Sequence, residues 1–118
     1  MHRLPKNIDL SFFVNKELFS VSISAHELIL NFDDAISINV SSRIGWLSVN
    51  GNHDTYEDFS KAAPVVLTLL HDIVISAKGD TDGTLALTFR SGVKLEFYDT
   101  EDRYESYVIK NGDQFIAV

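Results

Sequence analysis

The sequence contains no cysteine, which excludes a disulfide framework and thiolate metal ligands and makes a reducing compartment the expected setting. It has no apolar run of membrane-spanning length. Met1-His-Arg-Leu-Pro-Lys-Asn7 lacks the apolar segment of a signal peptide. A soluble cytoplasmic protein is the expectation, with no membrane partner. Cations are scarce: ten Lys and Arg stand against 17 Asp and Glu, for a formal charge of −7. That balance repels phosphate backbones, and no local basic patch reverses it, so nucleic acid is not an expected partner. Low-complexity and Pro/Gly-rich stretches are also missing. One domain over residues 1–118 is expected, with 1–7 as a loose tail.

What the chain does have is the same hairpin twice. Leu28-Ile-Leu-Asn-Phe-Asp-Asp-Ala-Ile-Ser-Ile-Asn-Val40 aligns without a gap on Leu85-Ala-Leu-Thr-Phe-Arg-Ser-Gly-Val-Lys-Leu-Glu-Phe97. In each copy an L-x-L-x-F strand meets a short polar turn and returns with apolar residues at every second position, the period of a sheet with one dry face. Each copy follows an Ile-Ser-Ala tripeptide, Ile23-Ser24-Ala25 and Ile75-Ser76-Ala77, which extends the repeat. Alternation predicts further strands: a first carrying Ile8, Leu10, Phe12 and Val14, a second carrying Phe19, Val21, Ile23 and Ala25, and a fifth from Ile44 to Val49 with Trp46. Asn111-Gly112 predicts a hairpin before the last strand, Gln114 to Val118. Between Asn52 and Asp72 the period changes. Thr55-x-x-Asp58 reads as a capping signal, and Pro64 fits the first turn of a short helix carrying Val65, Val66, Leu69 and Leu70. The expected fold is mainly β: an antiparallel β-sandwich or rolled barrel-like sheet built from two similar hairpin repeats, with one short helix between them. Leu28, Leu30, Phe32, Leu85, Leu87 and Phe89 are the expected core.

Candidate chemistry is thin. His2, His26, His53 and His71 show neither the i, i+4 spacing of a helical zinc site nor the i, i+2 spacing of a strand site. Asp80-Thr-Asp82-Gly83 opens like a calcium loop but runs straight into an apolar strand, so it reads as a turn. No nucleophile elbow and no glycine-rich phosphate loop occurs. No cofactor, metal or catalytic residue is assigned. The expectation is a protein that is not an enzyme.

The feature with functional content is acidic and aromatic. Tyr56, Glu57 and Asp58 in one segment, and Asp99, Glu101, Asp102, Tyr104, Glu105 and Tyr107 in another, pair tyrosine with carboxylates in the manner of a protein interface. The segments Leu67 to Ala77, Gly83 to Phe89, Ser91 to Leu95 and Tyr104-Glu-Ser-Tyr107 are similar to a family of small uncharacterised bacterial β-rich domains. Those domains share a G-x-L-x-L-x-F-x-x-G-x-x-L hairpin followed by a tyrosine-glutamate-small-aromatic motif, with Tyr107 here where tryptophan is usual. They resemble the immunity proteins of contact-dependent inhibition and related polymorphic toxin systems. What the resemblance implies is a stoichiometric inhibitor that occludes a cationic toxin domain, such as a nuclease, encoded nearby. A monomer or weak homodimer fits that role. Two alternatives stand beside it: a small-molecule-binding module with a cavity lined by Phe12, Phe19, Trp46 and Phe89, and a hydrolase using loop Asp and His residues. A filled core opposes the first, and a deep polar cleft holding His53 or His71 favours the second.

Overall fold

A computed structural model describes residues 4–5, 8–100 and 105–118. Ten strands form two antiparallel five-stranded sheets packed together as a β-sandwich. Strands β1 (Leu18–Ile23), β2 (Leu28–Phe32) and β3 (Ile36–Val40) form a meander. The chain then enters the other sheet as β4 (Ile44–Leu47) and β5 (His53–Tyr56). Helix α1 (Phe59–Val66) follows, then a second meander of β6 (Val74–Gly79), β7 (Leu85–Phe89) and β8 (Lys94–Phe97). Finally β9 (Tyr107–Asn111) and β10 (Gln114–Ala117) return to the first sheet. The sheet orders are β1-β2-β3-β9-β10 and β5-β4-β8-β7-β6.

The repeat reaches well beyond the hairpin. A 3₁₀ turn at Ser11–Phe13 corresponds to one at Leu67–Leu69, and each is followed by one extended residue, Val14 or Leu70. Next comes a residue in the left-handed region, Asn15 (φ 71°) in the first copy and His71 (φ 75°) in the second. Both meanders carry a bulge at their first strand, between Leu18 and Ser20 and between Val74 and Ser76. The two copies touch where these strands begin, through the bridge between Glu17 and Ile73. Around it, Leu18 N donates to Asp72 O at 3.0 Å and Val74 N to Lys16 O at 3.0 Å, while Asn15 N donates to Val74 O and His71 N to Leu18 O, both at 2.8 Å. Each bond has its mate with the copies interchanged, so the sandwich has a pseudo-two-fold axis at this bridge.

This register corrects the reading of the Ile-Ser-Ala tripeptides. Ser20 lies opposite Asn31 and Ser76 opposite Thr88, so Leu18-Phe19-Ser20-Val21 is the counterpart of Val74-Ile75-Ser76-Ala77. Ile23-Ser24-Ala25 is a coincidence of composition. The bulge is also why Phe19 is 55 % exposed while Leu18 is buried, the reverse of simple alternation. The expected first strand through Ile8 and Val14 does not form. Asp9 accepts from Ser11 N and Ser11 Oγ and starts the 3₁₀ turn instead, burying Leu10 and Phe13.

The helix also differs from expectation. Asp58, not Thr55, is its N-cap, accepting from Ser60 N and Ser60 Oγ, and Thr55 belongs to β5. Pro64 sits inside α1 rather than in its first turn. An eight-residue helix tolerates this because the only bond lost is the one to Ser60. Leu69 belongs to the 3₁₀ turn and Leu70 is extended, so neither extends the helix. The inner faces meet as expected: Leu28, Leu30, Phe32, Leu85, Leu87 and Phe89 are all buried, in one cluster with Phe13, Phe59, Phe97 and Tyr107.

Asn tolerates the left-handed region better than His does. His71→Gly is therefore expected to raise stability by up to about 1 kcal/mol, and Asn15→Gly by less. Paired thermal or urea unfolding of the two variants checks the order.

Candidate functional site at the acidic end of the sandwich

Register decides which loops share an end. Tyr56 faces Ile44, which faces Phe97, in the second sheet, and Leu28, Val40 and Tyr107 form the matching row in the first. Beyond these rows lie the connections 24–27, 41–43, 57–58 and 80–84, with residues 98–100 and 105–106. Tyr107 ties the two rows together, its buried hydroxyl donating to Gly83 O at 2.6 Å. The end they form carries Glu27, Glu57, Asp58, Asp80, Asp82, Asp99 and Glu105. At the opposite end stand five, Glu17, Asp33, Asp34, Asp72 and Asp113, of which Asp34 pairs with Lys16 at 2.6 Å and Asp33 accepts from Glu17 N. The two segments singled out in the sequence are thus brought to one end. Glu101, Asp102 and Tyr104 lie outside the described residues.

Within this end the residues have different duties. Asp58 is committed to capping α1, and the hydrogen bonds from Ser60 hold its carboxyl below the ordinary value. Asp99 packs under the turn at Gly83, where φ is 91° and a Cβ would collide with the carboxylate. Glu27, Glu57 and Glu105 are exposed. Tyr56 is half-buried against the core. Tyr107 must be removed from the interface: it is 1 % exposed, its ring packed against Phe97. Burial, with Asp99 and Asp82 nearby, pushes its phenol well above the ordinary value.

A second cluster lies beside the acidic end, on the outer face of the second sheet. His53 Nε2 is 3.1 Å from Glu96 Oε1 and 3.2 Å from the Tyr98 hydroxyl, which donates to Glu96 at 3.0 Å. Gly45 makes this possible, because a Cβ on β4 would run into the phenol oxygen. Arg43 stacks over the Tyr98 ring at 5.2 Å and faces Glu57 at 3.9 Å. Tyr98 was not among the expected site residues, and His53 entered only through the hydrolase alternative. Gly45 in a strand was the available signal, since a glycine there marks a close approach by another group.

The cluster is a strap over β4. His53 stands on β5 and is half-exposed. His71 pairs with Glu17 at 3.1 Å on the surface. Neither histidine lies in a deep cleft. Among the described residues no group of three or more His, Asp or Glu side chains could hold a metal ion. Asp80-Thr-Asp82-Gly83 is a turn, closed by Gly83 N donating to Asp80 O. Phe19 lies outside the sandwich and Phe89 inside it, so Phe12, Phe19, Trp46 and Phe89 do not line a common chamber. No helix among the described residues is long and apolar enough to cross a membrane.

A family model described as a family of unknown function, DUF6188, matches residues 11–118. Its span begins at the 3₁₀ turn that opens the first repeat. No match was found among curated proteins or among solved structures.

Two outcomes test this geometry. Tyr107→Phe is expected to cost about 1–2 kcal/mol, because the Gly83 carbonyl loses its buried donor, measured by urea unfolding. Burial, then the hydrogen bond and charge of Glu96, push Tyr98 from 10.0 up to about 12. A raised value favours the folded state with the phenol protonated. That contribution is intact below the unfolded value and is lost as pH rises through the folded one. Ultraviolet titration should show a late-ionising tyrosine that Glu96→Gln moves part of the way back.

Proposed function

The chain belongs to that family of unknown function, and on this premise we propose that it is a non-catalytic protein-binding module whose acidic end docks a basic partner. The observation that carries the proposal is the gathering of Glu27, Glu57, Asp58, Asp80, Asp82, Asp99 and Glu105 at one end by strand register. Carboxylates on several loops, held by one rigid sandwich, focus a field that speeds the encounter with a cationic surface and excludes anionic competitors. The face needs no chemistry to act, since covering a cationic active site denies it to its substrate.

The finer reading is an immunity-type inhibitor in the bacterial cytoplasm, its partner a basic toxin domain encoded nearby. It is supported by the resemblance of the second hairpin and the Tyr104-Glu-Ser-Tyr107 motif, and by the sign of the acidic end. Co-expression with the product of the adjacent gene is the direct experiment. A stable complex that rescues growth supports the inhibitor reading, and failure of both complex and rescue refutes it. Within such a complex, Glu27→Lys, Glu57→Lys and Glu105→Lys together are expected to slow association by about tenfold at low salt and to flatten its salt dependence. Stopped-flow or surface-binding kinetics reads this. An unchanged rate removes the acidic end from the interface.

A further inference from the structure

The sandwich has four edge strands, β1 and β10 in one sheet and β5 and β6 in the other. An open edge presents unpaired backbone groups to any passing strand, and proteins ordinarily blunt it. Three of the four are blunted. β1 is bulged and covered by α1. β6 is bulged, carries Lys78, and has Leu4 and Leu10 packed against Gly79. β5 carries His53 and Asp54, and Asp54 lies opposite Trp46 on the side of the sheet that faces the core. An added strand would desolvate that charge.

β10 is the counterpart of β5 under the pseudo-two-fold, and it has no bulge, no covering helix and no charge of its own, with Lys110 of β9 over the Phe115 ring at 5.4 Å. Its register with β9 runs without a bulge from Gln114 to Ala117. Its residues are Gln, Phe, Ile and Ala, none of them charged. Ile116, 7 % exposed, stands where Asp54 stands in β5. Phe115 stands where His53 does and is 65 % exposed. Among the described residues nothing comparable to α1 covers this edge.

We propose that β10 is a pairing edge whose occupant is β10 of a second copy of this chain, joined antiparallel about a two-fold axis at Ile116. Val118 N donates to Tyr107 O at 2.9 Å, and Tyr107 N to Val118 O at 3.4 Å. Alternation then turns Ile116 toward β9 and leaves the N–H and C=O groups of Phe115 and Ala117 on the open side. An axis at Ile116 places Phe115 opposite the partner's Ala117, and Ala117 opposite the partner's Phe115. Each pair exchanges two backbone hydrogen bonds, and a large side chain lies against a small one. Such self-complementarity is what an isologous contact requires.

Charge is compatible with the same occupant. The outward residues of the first sheet are Ser20, Ser22, Ile29, Asn31, Ser37, Asn39, Val108, Lys110, Phe115 and Ala117, with no carboxylate among them. In a chain of net charge −7, a face without carboxylates lets two copies approach with little repulsion. Antiparallel pairing also points the two acidic ends in opposite directions, so they are kept apart and both remain open.

Sedimentation of the full chain from about 1 to about 500 μM should show monomer giving way to dimer. Phe115→Lys combined with Ala117→Lys should weaken that dimer at least about tenfold. Both positions are at least partly exposed, and circular dichroism confirms the fold. Hydrogen exchange on the unsubstituted chain supplies a readout free of variants: the amides of Phe115 and Ala117 should slow at high concentration, while those of His53 and Thr55 on β5 should not. A chain that stays monomeric throughout overturns the proposal. So does a dimer indifferent to both substitutions, or one whose concentration-dependent protection falls elsewhere.

Discussion

Neither copy of the duplicated unit completes a sheet of its own. Each meander, β1-β2-β3 or β6-β7-β8, ends with a strand whose remaining edge is filled by a hairpin from the other copy: β9 pairs with β3, and β4 with β8. This exchange is the constraint on which the rest depends. It sends the chain across the sandwich after Val40 and again after Phe97, and both crossings occur at the same end. The polar connections needed to make them are therefore gathered there. A carboxylate-rich end follows from the topology once those connections are acidic. The burial of Leu28, Leu30 and Phe32 against Leu85, Leu87 and Phe89 locks the two halves, because a slip of one residue in either meander would turn its L-x-L-x-F face to water.

A duplicated fold carries its own control. Wherever two positions are equivalent in backbone, a difference in side chain is not demanded by the architecture. Gly45 corresponds to Val108, Glu96 to Asn39, Tyr98 to Ser41 and Arg43 to Ser106. The first sheet is stable with the ordinary residues, so the strap of His53, Glu96 and Tyr98 answers a need local to the second. That need is visible in β5: a four-residue edge strand of His, Asp, Thr and Tyr, paired on one side only. The strap fastens it to β8 across the intervening strand. The equivalent edge, β10, has no such strap and has Phe115 and Ile116 instead. The two edges have diverged toward opposite behaviour, one closed and one open.

The parts of this arrangement that were legible in the sequence are those set by period two. The repeated hairpin, its inward faces, the Asn111-Gly112 turn and the sandwich class all follow from alternation between Leu28 and Val40 and between Leu85 and Phe97. What was illegible depended on features that break the period. A bulge at Leu18 and Ser20 moves Phe19 outside, and nothing in the local pattern marks it. The stretch from Ile8 to Val14 alternates as well as any strand, yet Asp9 caps Ser11 and the segment turns. His53 to Tyr56 has almost no apolar content, so a strand stabilised by one neighbour and a side-chain strap left no trace of periodicity. The acidic segments were readable as composition, but only register shows that 56–58, 98–100 and 105 lie at one end. Tyr107 was misplaced because tyrosine among carboxylates looks like surface until its position opposite Val40 on the inner face is known.

The acidic end and the open edge are separable in mechanism because they draw on different parts of the same strands. β9 begins at the acidic end with Tyr107, buried and bonded to Gly83, and runs away from it beside β10. Residues that fix the loop end, Tyr107 and Gly83 among them, do so through the interior. Residues that define the edge, Phe115 and Ala117, face outward, and the strand reaches the acidic end at Val118, whose carbonyl accepts from Ser106 N at 2.6 Å. A change at one therefore reaches the other through the core or through the Ser106–Val118 bond, and a core packed to near-zero exposure over both sheets resists local rearrangement. If both surfaces are used, binding at the acidic end leaves the backbone groups of Phe115 and Ala117 open to pairing, because they point away from β9. A dimer so built presents two carboxylate-rich ends along opposite directions, a geometry for two independent partners rather than for joint capture of one.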